Sequence, residues 1–132
     1  MSKRKLPNYR SKQKILYIDN TPAATLIDYG DQYWDEQAFD DALDFYAKAG
    51  HTSGIEKLSA AAMEKGDVFL YQRASRALHR EITPADWRKI AGRAVELEKI
   101  TFAKRALEKI DDPAVKNDVE AMIKTKEAEK RT

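Results

Sequence analysis

The chain has 132 residues, 42% of them hydrophobic and 35% charged, a balance that fits a single helical domain with a real core and wet outer faces. It contains no cysteine, which excludes disulfide frameworks, thiolate metal sites and cysteine nucleophiles. The net charge of +2 conceals an asymmetry: residues 1–18 carry six basic groups and no acid, whereas residues 19–51 carry eight acids against Lys48 alone.

Along the chain, residues 1–20 predict a flexible basic arm. Lys3, Arg4, Lys5, Arg10, Lys12 and Lys14 surround Tyr9, a pattern suited to electrostatic contact with nucleic acid or with an acidic partner, or to folding back on the acidic stretch that follows. "KILYI" at 14–18 is the single strand-like run. From residue 21 the chain reads as helices throughout. Thr21-Pro22, Thr83-Pro84 and Asp112-Pro113 each set a capping side chain before a proline at the first helical position. Ser53 with Glu56 has capping-box spacing, and Gly50 and Gly66-Asp67 mark places where one helix ends and the next begins. These signals predict helices over 22–36, 38–49, 54–65, 68–80, 84–98, 100–110 and 113–130.

The first two of these hold "IDYGDQYWDEQAFDDALDFYAKAG", with seven carboxylates among six aromatics. Asp28, Asp31 and Asp35 recur at helical spacing, and Asp40, Asp41 and Asp44 flank the apolar set Phe39, Ala42, Leu43 and Tyr46. Both groups read as the solvated sides of amphipathic helices. Acids on an open face lack the apolar pocket that would hold one carboxyl protonated for hydrolysis. His51 and His79 stand at helix ends, where the exposed carbonyls attract them. No phosphate-cradling glycine loop or calcium loop occurs. The expectation is a non-enzymatic protein with no cofactor and no metal.

Leu26, Tyr29, Gly30 and Tyr33, followed by Ala42, Tyr46 and Ala49, resemble the tetratricopeptide repeat, whose helix pairs carry W-x-x-L-G-x-x-Y and then A-x-x-x-F-x-x-A. Leu26 stands in place of the tryptophan, and the closing proline is missing. A second, weaker unit runs through Leu58, Ser59, Ala62 and Met63. A third has Trp87, Ile90, Ala91 and Ala94, then Ala103, Leu107 and Ile110. The resemblance implies an all-α, right-handed α-solenoid of about three antiparallel helix pairs over residues 21–132, closed by a capping helix at 113–130. It also implies a concave groove for a peptide or helix of a partner protein, lined here by Ile27, Asp31 and Trp34, by Glu56, Ala60 and Met63, and by Arg88, Gly92 and Val95. The lysines and asparagines with which some members of the family clamp a terminal carboxylate are missing from these positions.

A competing expectation is RNA binding through the arm together with Arg73, Arg76 and Arg80, whose spacings of three and four form a basic stripe on one helix. No apolar run reaches the roughly 20 residues that span a bilayer, and the N-terminus lacks a signal-peptide pattern. A cytoplasmic location, no membrane partner, and a monomer or weak homodimer are therefore expected.

Overall fold

The structure, a computed structural model, describes residues 5–131. The chain is all-α: eight helices and no strand occur among the described residues. They are α1 (Tyr9–Tyr17), α2 (Ala23–Asp35), α3 (Phe39–Ala49), α4 (Thr52–Lys65), α5 (Val68–Ala77), α6 (Pro84–Glu96), α7 (Ile100–Lys109) and α8 (Pro113–Lys130). None of the helices is long and apolar enough to cross a membrane. The chain divides into two compact units, residues 1–58 and residues 59–132.

In the first unit α2 and α3 pack along one another, because each carries an apolar face at helical spacing. Leu26 and Tyr33 from α2 meet Leu43, Phe45 and Tyr46 from α3, and all five are buried. Phe45 lies 5.3 Å from the Tyr29 ring and 5.4 Å from the Tyr33 ring, centroid to centroid. Gly30 faces the Tyr46 ring so closely that a Cβ there would lie 2.5 Å from a ring carbon, so the glycine makes room for a side chain of α3. The fully buried Tyr46 donates its hydroxyl to Asp31 Oδ1 at 2.6 Å.

Residues 9–17, expected within a flexible arm, instead form α1. Asn8 caps it by accepting the Ser11 amide at 2.8 Å. Leu16 is 1% exposed and Lys12 8%. Four residues apart, they share one face of α1, which rests on α3. The Lys12 ammonium reaches Asp41 at 2.5 Å and Asp44 at 2.7 Å. Two acids assigned by their spacing to a solvated flank thus hold a buried cation. Lys3 and Arg4 lie outside the described residues.

In the second unit α6 packs on α7, and α8 packs on both. Ile90, Ala94, Ala103, Ala106, Val119 and Ile123 are at its centre. Alanines at four of the sites around these contacts allow the helix backbones to approach. Gly66 does the same more sharply: a Cβ there would lie 2.7 Å from backbone atoms of Ala94.

The helix boundaries bear out most of the punctuation. Thr83 and Asp86 form a reciprocal capping box, and Asp67 and Asp112 accept the amides of Leu70 and Val115. Two expected caps differ. Thr21 does not cap α2, whose N-cap is Pro22; its hydroxyl donates back to the Ile15 carbonyl at 3.1 Å and closes the turn after α1. Helix α4 begins at Thr52, so Ser53 sits inside its first turn, 3.5 Å from His51 Nε2.

Five helices end in one motif. At Gln37, Gly50, Gly66, His79 and Glu98 φ is positive; each amide bonds to the carbonyl three residues back, and the next amide to the carbonyl five back. This motif ends α5 at Ala77 rather than at residue 80, because the left-handed turn at His79 satisfies the last carbonyls and reverses the chain.

Candidate functional site

The second unit carries a surface depression built from three helices. The last turns of α4 supply Ala60 and Met63, α6 supplies Arg88, Gly92 and Glu96, and α8 supplies Met122. Its volume is about 840 Å³. A second depression of about 570 Å³ adjoins it between α6 and α8, sharing Arg88, Gly92, Glu96 and Met122 and adding Val95. Together they form one cleft with a soft apolar floor and charged walls.

Each part has a local cause. Gly92 opens the floor: a Cβ there would lie 3.7 Å from Met122 Sδ, an ordinary contact, so it is side-chain volume and not backbone crowding that is missing. The methionines are unbranched and polarizable and can adapt to the shape of an occupant. Arg93 ties α6 to the end of α4 through a 2.6 Å bond from Nε to the Glu64 carbonyl, and reaches Glu96 at 3.0 Å. Lys99 donates to the Lys65 carbonyl at 2.6 Å. Two cations therefore occupy the negative end of α4 and hold that wall of the cleft in place. On the other side Arg88 meets Asp118 at 3.2 Å. Both side chains are about half exposed, so this pair can part to admit a ligand at little cost.

Of the expected groove residues, Ala60, Met63, Arg88, Gly92 and Val95 line this cleft. Val95 is mostly core, at 8% exposure. Ile27, Asp31, Trp34 and Glu56 belong to the first unit. There Trp34 is half-buried, with its ring 4.8 Å from Phe39 and the Lys57 ammonium 4.2 Å above it. Asp31 is taken up by the Tyr46 hydroxyl, and Glu56 is exposed. Met122, Lys89 and Arg93 escaped the sequence reading. The signal for Met122 was available, since it sits beside the core positions Val119 and Ile123 on a helix expected only to cap.

The basic stripe does not persist. Arg80 lies beyond the end of α5, so Arg73, Arg76 and Arg80 are not on one helix. Arg76 and Arg80 instead line a separate cavity of about 460 Å³ with Trp87 and Lys109. Of the basic arm residues that are described, Lys12 is buried, while Lys5, Arg10 and Lys14 are exposed. Comparison with known proteins returns no matching family model, no matching curated protein and no matching solved structure.

Proposed function

We propose that the chain is a non-enzymatic protein-interaction module, a divergent tetratricopeptide-like right-handed solenoid of about three helix pairs capped by α8, which binds a peptide or helix of a partner protein in the cleft along α6. The observation that supports this reading is the cleft floor. Ala60, Met63 and Gly92, at positions where the repeat pattern puts a groove, leave together with Met122 of α8 an apolar trough between charged walls. The partner's contribution is an apolar anchor one or two side chains wide, with polar neighbours that meet Arg88, Lys89 and Glu96 at the rim. The protein acts in the cytoplasm, as a monomer or weak homodimer.

The test is retention of partners from a nuclease-treated lysate by the wild-type chain, by Gly92→Leu, which fills the trough, and by Lys116→Ser as an exposed control. Proteins held by the wild type and the control but lost by Gly92→Leu, with circular dichroism unchanged, support the reading. Equal retention by all three, or recovery that vanishes with nuclease, sinks it.

A second reading is favoured by the outer face of α1. Tyr9, Tyr17 and Ile18 are 77%, 66% and 77% exposed and interleave with Arg10 and Lys14, the composition of a surface for single-stranded RNA. Arg10→Ser with Lys14→Ser removes that binding and leaves the cleft intact.

A further inference from the structure

The cavity that takes up Arg76 and Arg80 is independent of the cleft, and its lining is of a different kind. Four elements build it. Arg76 lies in the last turn of α5 and Arg80 just beyond it, Trp87 in α6, Lys109 at the end of α7, and Asp111 and Asp112 in the turn before α8. The left-handed turn at His79 makes the cluster. The Arg80 amide bonds back to the Ser75 carbonyl at 2.9 Å, which returns Arg80 to the end of the helix that carries Arg76. Ser75 itself is buried in the cavity wall. Trp87 is half-buried, with one part packed on the core and the rest lining the cavity beside Ile82 and Pro84.

Three cations from three segments, an aromatic wall, and nearby carboxylates make up this lining. The Asp112 carboxylate is engaged with the Val115 amide at 3.0 Å, which leaves Glu81 and Asp111 as the acids of the rim. Each class of group matches one part of a nucleotide. An indole stacks on a base, guanidinium and ammonium groups bind phosphate, and carboxylates accept the hydroxyls of a ribose. The volume of about 460 Å³ falls within the roughly 300–1,000 Å³ of small-molecule sites. We propose that this cavity binds a nucleotide, with its base against Trp87, its ribose toward Asp111 and Glu81, and its phosphate among Arg76, Arg80 and Lys109. Nucleotide chemistry has two sources, a free mononucleotide or one unit of a single RNA strand, and the experiment separates them.

In 1H–15N spectra of the full chain the two indole N–H signals, assigned with Trp34→Phe, are followed while adenosine monophosphate, adenosine, inorganic phosphate or an octaadenylate is added. The expected result is a saturable shift of the Trp87 signal with adenosine monophosphate, an affinity about tenfold weaker or worse for adenosine, which lacks the charge-assisted phosphate contacts, and no indole shift with phosphate alone. Arg76→Gln and Lys109→Gln are each expected to weaken binding about tenfold while the thermal melt stays within a few degrees. Octaadenylate binding much more tightly than the mononucleotide, with affinity falling steeply in salt, identifies an RNA strand as the source; equal affinities identify the free nucleotide. No saturable response to either ligand overturns the proposal, as does equal affinity for adenosine and its monophosphate. Unchanged binding in both glutamine variants overturns it as well, since Arg76 and Lys109 would then serve only the carbonyl ends of α5 and α7.

Discussion

At Gly30 the Tyr46 ring occupies the space of a side chain, and the phenol beyond it is bonded to Asp31. A methyl at this position must displace a fully buried ring, so Gly30→Ala is expected to cost about 1–3 kcal/mol, read as a lower urea midpoint with an unchanged slope. The opposite sign is expected at the left-handed helix ends. Glu98 holds φ at 62° without being glycine. A left-handed residue with a Cβ costs about 1–2 kcal/mol, and glycine gives back part of that gain in chain entropy. Glu98→Gly is therefore expected to stabilise by about 0.5–1 kcal/mol, seen as a rise in melting temperature; a fall would show that the Glu98 side chain contributes more than its backbone strain removes. This position was opaque to sequence reading, because only glycine announces a left-handed turn. Gly50 and Gly66 were legible as helix ends on that ground, and Gln37, His79 and Glu98 were not.

At the scale of the helix, α1 shows how an element is lost to sequence reading. "YRSKQKILY" has one fully apolar inward position, Leu16, and its second inward residue is a lysine. An apolar-periodicity test therefore sees a polar arm. The missing half of the pattern lies about thirty residues away, in Asp41 and Asp44, which neutralise Lys12 and let its methylene stem be buried. Leu16→Ala is expected to cost about 2–3 kcal/mol and to release α1 alone, so that hydrogen exchange speeds up in residues 9–17 while α2 and α3 stay protected. Lys12→Met keeps the stem but leaves two carboxylates without their cation. It is expected to cost about 1–2 kcal/mol, less than a fully buried pair because the Asp41 side chain is 41% exposed. Adding Asp41→Asn should return part of that loss. If Lys12→Met is neutral and exchange in α1 is unchanged, the ion pair does not hold the helix. By contrast the caps at Thr83, Asp67 and Asp112 were legible because a cap and its amide lie three residues apart.

Across the whole molecule, the groups whose ionisation the fold displaces agree in direction. Burial pushes Tyr46 well above the usual tyrosine value near 10, and its bond to Asp31 adds to the effect. Tyr33 and Tyr71 are raised, mainly by burial. Burial pulls Lys12 down, but its bonds to Asp41 and Asp44 and their charges outweigh this and raise it above 10.5. A group with a raised folded value keeps its proton in the native state where the unfolded chain has released it. Its contribution is complete below the unfolded value and is lost as pH rises through the folded one. Unfolding free energy from urea titrations is therefore expected to fall from about pH 10 upward. In Tyr46→Phe it should fall less steeply, at the expense of about 0.5–1.5 kcal/mol at neutral pH. A parallel decline in both proteins would remove Tyr46 as a cause.

By itself the sequence determined the all-helical class and seven of the eight helices to within a few residues. All of these rest on interactions within a few positions or on a periodicity visible along one segment. Only the tertiary structure decided that Lys12 is buried. It likewise decided that Met122 joins Met63 and Gly92 in one cleft, and that Arg76 and Arg80 leave their supposed stripe to meet Trp87 and Lys109. In each of these cases the residues come from different elements of the chain. Their meeting depends on how the helix ends turn the chain and which faces the cores consume, and no local spacing records that.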